Sequence, residues 1–265
     1  MCDREQVVVR AAHLLRAARH AVALTGAGIS TPSGIPDFRS PDSGLWNQAD
    51  SMLVASLQGF QRRPELFFRL GTPPGRAAIE AQPNPAHLAL AEMEAAGMLR
   101  AVITQNIDGL HQKAGSQRVH EVHGHFRLAT CIRCHRTVPT QPFMKVFLEQ
   151  AYIPRCPCGG ILKPNVVLFG EQLPAEVVAA ADQDVEQCDL MLVAGSSLEV
   201  EPVASLPWRA IAHGARLIIV NYQRTYLDGK ADVVIHDDVA EILPRMAARA
   251  IGMTGDKTFT RSVGG

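Results

Sequence analysis

Four cysteines fall in two close pairs, Cys131-x-x-Cys134 and Cys156-x-Cys158, the second followed by Gly159 and Gly160. Thiolates paired on tight turns can surround one zinc ion tetrahedrally and leave no position for water, which makes a structural rather than a catalytic site. His135, beside the first pair, is expected to stay solvated while four thiols are at hand. A second group of residues suits phosphate and sugar. "TGAGISTPSGIPDFRS", Thr25 to Ser40, resembles the glycine fingerprint of dinucleotide sites but has Thr31 in place of the third glycine. No acidic residue ends a second strand about 20 residues on, so a hydride-transferring dehydrogenase is disfavoured. Gly26 and Gly28, with Ala27 between them, can still bring backbone amides close to a diphosphate. Pro32, Gly34 and Pro36 oppose a helix and favour an ordered loop carrying Ile35, Asp37, Phe38 and Arg39. Arg39 suits phosphate, and Phe38 either covers a sugar face or anchors the loop. "TQNID" adds Gln105, Asn106 and Asp108, amide and carboxylate groups suited to ribose hydroxyls and a carboxamide. "HEVHGH" adds His120, His123 and His125, of which any one could remove a proton near neutral pH.

These groups need elements to hold them. Apolar residues spaced for a helix run from about Glu5 to Arg19, and the Ala-rich stretches Pro85 to Ala96 and Pro174 to Val185 also read as helices. Short apolar runs at Ala21 to Leu24, Ala101 to Thr104, Leu190 to Ala194, Leu217 to Val220 and Val233 to Ile235 read as strands. Continuous apolar strands alternating with helices predict a parallel sheet covered on both faces. The first four strands run into "TGAG", "TQNID", "AGSS" and "NYQ". Ligands of such sheets bind at the carboxyl ends of the strands, so a nucleotide is expected there. Residues 41–85, with helix-like "DSMLVASL" and "PELFFRL" and a Pro-rich link, and residues 124–163, with the cysteines, interrupt the alternation. The expected division is a nucleotide domain from 1–40, 86–123 and 164–251, a small helical and zinc-bearing domain from 41–85 and 124–163, and a tail, 252–265, without a core pattern.

The chain has 265 residues and balances 26 Lys and Arg against 26 Asp and Glu, so no global field draws it to nucleic acid or an anionic membrane. Its amino terminus lacks the layout of a signal peptide and no stretch is long and apolar enough to span a bilayer. A cytoplasmic, reducing setting is expected, with Cys2 and Cys188 as free thiols.

Together, "GAGISTPSGIPDFRS", "TQNIDGLHQKAG", "HEVHG", the cysteines, "LKPNVVLFGE", "AGSSLEVEP" and "IIVN" resemble the sirtuin family of NAD-dependent protein deacylases, in motif order, over about residues 8 to 250. The resemblance implies a Rossmann-like parallel sheet with helices on both faces and an inserted smaller helical and zinc-binding domain. It implies NAD as co-substrate, one structural zinc, and acylated lysine peptides as partners. It selects His123 as general base. Asn106 and Asp108, with Gln105, would hold the nicotinamide ribose and carboxamide. Gly26, Ala27, Gly28 and Arg39 would lie along the diphosphate, and Ile35, Asp37 and Phe38 would line the nicotinamide pocket. Gly195, Ser196, Ser197 and Asn221 would hold the adenosine half, with Val239 near the adenine. "VVLFGE" and "SSLEV" would receive the substrate peptide as an added strand through Gly170, Glu171, Leu198 and Glu199, with Val167 and Phe169 bordering the acyl-lysine tunnel. The family reaction yields free lysine, nicotinamide and O-acyl-ADP-ribose. The Tyr-x-x-Arg pair of sirtuins that prefer acidic acyl groups is absent, because the tyrosines are Tyr152, Tyr222 and Tyr226. Acetyl and other uncharged acyl groups are therefore expected. Transfer of ADP-ribose to protein, and a non-catalytic NAD-sensing zinc-ribbon module, are the competing readings.

Overall fold

The computed structural model of the chain describes residues 2–37, 55–143, 146 and 153–255. Its centre is a six-stranded sheet built from β1 (Ala21–Thr25), β2 (Ala101–Thr104), β3 (Val119–Glu121), β7 (Leu190–Ala194), β8 (Arg216–Val220) and β9 (Val233–Ile235). The order is β3-β2-β1-β7-β8-β9 and all pairings are parallel. The chain winds outward from β1 in one direction and from β7 in the other. Their carboxyl ends therefore flank the topological switch point, where an open parallel sheet leaves a crevice.

Alternate side chains of each strand serve opposite faces. Ala21, Ala23, Leu190, Leu192, Ile218 and Val220 share one core with Val8 and Leu15 of α1 (Cys2–Ala17), Leu90 and Met93 of α4 (Pro85–Ala95), and Ile242 and Met246 of α8 (Val239–Gly255). Val22, Leu24, Met191, Val193, Leu217 and Ile219 share the other with Val185 of α6 (Ala175–Gln187) and Ala210 of α7 (Leu206–Ala212). Burial on both faces explains why these strands read as continuous apolar runs. Among the described residues no helix is long and apolar enough to cross a membrane.

A second sheet, β5-β4-β6, is antiparallel and joins β4 (Gly124–Cys131) to β5 (Thr137–Pro139) and β6 (Leu162–Val166). Beside it lie α2 (Leu57–Arg62) and α3 (Pro64–Glu80), whose Phe60 and Phe68 pack with Val166 and Leu168. Most of "DSMLVASL" lies outside the described residues. The Pro-rich link expected after "PELFFRL" is instead part of α3, which continues to Glu80. A proline inside a helix costs one hydrogen bond and a clash. Phe68 before the prolines and Ala78 beyond them are both buried, so packing on each side of the proline-bearing turn offsets the local penalty. Helix α8 also runs past Ile251, to Gly255.

Candidate functional site

The polar residues after β1, β2 and β7 form one lattice across the switch point. Gln105 donates from Nε2 to Ser196 Oγ at 3.0 Å, joining the end of β2 to that of β7 over β1. Asn106 donates from Nδ2 to the Gly26 carbonyl and to Ser30 Oγ, both at 3.0 Å. Ser30 Oγ donates to Asp108 Oδ2 at 2.8 Å, while Asp108 Oδ1 takes the Leu110 N–H at 2.9 Å. Burial raises the Asp108 carboxyl above the ordinary carboxylate range, against the lowering effect of these two donors. Ser30 is thus the shared partner of Asn106 and Asp108, two of the three residues singled out in "TQNID". In the sequence it reads only as the last residue of the phosphate cradle Gly26 to Ser30, with no partner marked for its hydroxyl.

Below this lattice the interior is polar and buried. The backbone N–H of Asn84 faces His87 Nδ1 at 3.4 Å, which leaves His87 Nε2 as the protonated nitrogen, 3.4 Å from Ser30 Oγ. His111 Nε2 meets Thr25 Oγ1 at 2.9 Å, and Thr25 donates to Thr104 Oγ1 at 2.9 Å. The His87 and His111 rings lie 4.9 Å apart. Burial pushes His87 down to about 4 and, with His87 adding to the effect, His111 down to about 3, so both are neutral at physiological pH. Asn84 caps α4 by accepting the Ala86 N–H and also donates to the Ile29 carbonyl at 2.8 Å and Ser33 Oγ at 2.9 Å. The same residue starts a helix and pins the glycine turn.

That turn is not the start of a long helix. Ala27–Ile29 and Thr31–Ser33 each form one turn of 3₁₀-helix, and Gly34 ends the second in the left-handed region with φ 84°. The glycines have a packing reason besides any ligand. A Cβ on Gly28 would sit 2.9 Å from the Gly195 carbonyl oxygen, and one on Gly195 would sit 2.2 Å from the Ile29 nitrogen. Bare backbone lets the two loops of the switch point touch. Ala27 and Gly28 remain partly accessible, as do Ile35 and Asp37, whereas Phe38 and Arg39 lie outside the described residues. At the far end of the lattice, Ser196 and Asn221 are buried, Ser197 is half-buried, and Val239 belongs to the core at the start of α8. Asn221 donates from Nδ2 to the Gln223 carbonyl at 2.8 Å.

Of the three histidines, His123 reaches the lattice. Its Nδ1 lies 3.1 Å from the Gln105 carbonyl, an acceptor only, so Nδ1 carries the proton and Nε2 the lone pair in the neutral ring. Burial lowers its pKa below the ordinary histidine value, with the Gln105 bond acting in the opposite direction. His120 turns elsewhere, to Asp184 Oδ2 at 2.7 Å, and His125 is half-buried on β4. Gly124 holds the turn after His123. It has φ 77°, and a Cβ there would meet the Asn165 carbonyl oxygen at 2.0 Å. Gly124→Ala combines a left-handed strain with a backbone collision, and should destabilise the protein by about 2 to 4 kcal/mol in denaturant unfolding. An unchanged midpoint would show that this turn is free to relax.

Of the two segments expected to receive a peptide, "VVLFGE" is joined to this turn. The Val167 N–H donates to the His123 carbonyl at 2.8 Å. Neither segment is a regular strand here. Phe169 forms an isolated bridge with Ser56, exchanging backbone hydrogen bonds with Ala55 and Leu57 at 2.9 Å each. Gly170 has φ 88°, and Glu171 accepts the Leu168 N–H at 2.7 Å and pairs with Lys163 at 2.9 Å. Leu198 is buried with φ 56°, and Glu199 is exposed.

The sulfurs of Cys131, Cys134, Cys156 and Cys158 all lie within 4.8 Å of one another. Two of the separations, Cys131 to Cys158 at 3.5 Å and Cys134 to Cys156 at 3.6 Å, are far too long for disulfides. They are close to the edge of about 3.8 Å of a tetrahedron with 2.3 Å zinc–sulfur bonds. The backbone N–H groups of Cys134 and Arg133 bring the Cys131 thiol down to about 6, which favours the thiolate a metal requires. The donor set fits zinc, and His135 is exposed beside it.

The sequence model of the Sir2 family matches residues 26–202. Over 96% of its length the chain is 44% identical to the whole of NAD-dependent protein deacylase 2 of Archaeoglobus fulgidus. It is 48% identical to an NAD-dependent protein deacetylase of Caldivirga maquilingensis, over 88% of this chain and 90% of that one. The fold is similar to a solved complex of Sir2 with a p53 peptide and NAD, with TM-score 0.80 and 39% identity over 92% of this chain and 96% of that one. It is also similar to Sir2Af2 bound to a myristoylated histone peptide, with TM-score 0.82 and 40% identity over 96% of this chain and 100% of that one. A match that takes in the switch point, the histidine turn and the cysteines, with relatives this similar over nearly their whole length, leads to one assignment: the chain belongs to the Sir2 family.

Proposed function

We propose that the chain is an NAD-dependent protein-lysine deacylase that removes acetyl and other uncharged acyl groups. The carrying observation is the bond from His123 Nδ1 to the Gln105 carbonyl, which leaves a basic Nε2 beside the Gln105, Asn106 and Asp108 lattice. Relatives solved with NAD and a p53 peptide, and with a deacetylated p53 peptide and 3′-O-acetyl-ADP-ribose, support it. The groups at this edge fit a dinucleotide, with half-buried amides and a carboxylate at one end and buried hydroxyl and amide groups at the other.

When bound, NAD supplies an anomeric carbon that the acyl oxygen attacks as nicotinamide leaves. Asn106, Asp108 and Gln105 orient the nicotinamide ribose and carboxamide. Ile35 and Asp37 line that end, while the assignments of Phe38 to the same pocket and of Arg39 to the diphosphate fall on residues outside those described. Gly26, Ala27 and Gly28 lie along the diphosphate, and Gly195, Ser196, Ser197, Asn221 and Val239 hold the adenosine half. His123 Nε2 takes the proton released through the ribose hydroxyls. Gly170, Glu171, Leu198 and Glu199 receive the peptide backbone, and Val167 and Phe169 border the acylated side chain. Cys131, Cys134, Cys156 and Cys158 hold a structural zinc outside the chemistry.

The acyl preference rests on the helical module, where Phe60, Phe67, Phe68, Ile107 and Leu168 make an apolar cluster and tyrosine is absent from residues 55–80. Nicotinamide release should be measured with no peptide, with an acetyl-lysine peptide and with its succinyl-lysine counterpart at equal concentration. The expected result is release that depends on the acetyl peptide and matches deacetylation one for one. Faster desuccinylation would overturn the acyl preference. Release accompanied by ADP-ribose on protein and no loss of acyl groups would favour the transferase reading, and no release in any arm would favour a non-catalytic module.

A further inference from the structure

We propose that the amino-end edge of the parallel sheet, opposite the switch-point crevice, carries a second anion site, lined by Arg19, Arg100 and Arg118 and suited to a small oligophosphate. Three arginines enter three neighbouring strands. Arg118 immediately precedes β3, Arg100 immediately precedes β2, and Arg19 stands two residues before β1. These strands are adjacent in the order β3-β2-β1 and parallel, so all three arginines stand on one edge. Neighbouring strands are about 4.8 Å apart, which sets the guanidinium-bearing chains in a row spanning about 10 Å. They border a cleft of about 350 Å³ whose wall also includes Glu94. That volume is at the small end of the range of about 300 to 1,000 Å³ for small-molecule pockets.

The charges in this cleft are unevenly committed. Arg118 is held by Asp184, with Nε 2.9 Å and Nη2 3.1 Å from its two oxygens. The Asp184 side chain is only 2% exposed and also meets His120, so one guanidinium of the row is fixed in place. Glu94 is committed to backbone, accepting the Gln117 N–H at 3.0 Å and the Arg118 N–H at 2.8 Å. Arg19 and Arg100 are exposed, and among the described residues neither side chain has a hydrogen bond or ion pair. Three guanidiniums and one carboxylate, Glu94, line the cleft; of the neighbouring carboxylates, Asp184 is taken up by Arg118 and Asp189 by the backbone N–H groups of Arg19 and His20. Guanidinium groups bind phosphate oxygens in pairs, which a row of them can do along linked phosphates. The lining holds no aromatic ring on which a base could stack, which favours a small anion over a nucleic acid.

The test is calorimetric titration of sodium tripolyphosphate into the full-length protein saturated with ADP-ribose, so that the crevice at the carboxyl ends is already filled. One-to-one binding is expected, weakened at least about tenfold in Arg19→Gln/Arg100→Gln, a loss of about 1.4 kcal/mol. The variant should keep the wild-type unfolding midpoint and the wild-type rate of NAD-dependent deacetylation. Absence of binding to the wild type, or binding that the double substitution leaves untouched, would overturn the proposal. Citrate binding more tightly than tripolyphosphate would reassign the cleft to carboxylates. A single-stranded oligonucleotide binding with the same arginine dependence would overturn the small-ligand assignment. Because the readout is heat of binding, failure of this site and failure of the deacylase reading are distinguishable.

Discussion

His123→Ala is expected to lower deacetylation of an acetyl-lysine peptide by about 100-fold to 10,000-fold, the usual worth of a positioned general base. ADP-ribose affinity should change little. The structural reason is a division of labour at one residue. The Gln105 carbonyl accepts the hydrogen of Nδ1 at 3.1 Å, so the neutral ring offers a lone pair at Nε2 alone. Burial lowers the ring's pKa. Since the base works only when unprotonated, and its pKa lies below the ordinary 6.5, wild-type turnover should be level near pH 7 and fall as pH drops through that lowered value. The alanine variant has no such group, so its residual rate should lack the acid limb. Two outcomes would sink the assignment: wild-type turnover in the variant, or an acid limb that survives the substitution. Loss of ADP-ribose binding along with turnover would place His123 in the binding lattice instead.

What could be read in the sequence followed from locality. Ala101 to Thr104 is a strand with the bounds the apolar run predicts, because its partners bury both of its faces, Thr104 included through its bond with Thr25, and burial eases only at Gln105. The four polar strand ends gather on one edge because parallel strands can only present their carboxyl ends together. Strand β3 escaped notice because three residues carry too short a pattern, and two of them, His120 and Glu121, are polar side chains buried by pairing. The same limit hid the lattice. Ser30 meets Asn106 and Asp108 across 76 and 78 residues of chain, and nothing in "GAGIST" marks its hydroxyl as the shared partner. His87 was hidden for a related reason: "NPAH" reads as a helix start, which it is, and the contact toward Ser30 depends on how α4 docks. The packing of Gly28 against Gly195 shows the converse case, in which a motif read for its ligand also serves the fold.

Removal of zinc should abolish turnover although the metal takes no part in the chemistry. The antiparallel sheet has three strands; Val166 and Phe126 at one end pack with Phe60 and Phe68, whereas the cysteine-bearing end has only Ala129, Cys131, Cys156 and Leu162, with Val138 and Phe143 partly covering it. So few apolar side chains cannot hold that end, and two of them are themselves metal ligands. A structural zinc in such a site supplies folding free energy directly, on the order of 10 kcal/mol in zinc-finger peptides. Strand β4 begins at Gly124, next to His123, and ends at Cys131. Strand β6 ends at Val166, next to the Val167 N–H that binds the His123 carbonyl. Disorder at the cysteines therefore travels along both strands to the histidine turn. The two cores of the parallel sheet include no residue from β4, β5 or β6, so that sheet should persist. Chelation, or Cys134→Ser/Cys158→Ser at the two exposed ligands, is thus expected to release one zinc per chain and to cut deacetylation at least about 100-fold. Protease cleavage should appear between residues 124 and 166 while most far-UV circular dichroism remains. Full turnover in metal-free protein would refute this coupling, and global unfolding would show instead that the parallel sheet depends on the zinc-bearing one.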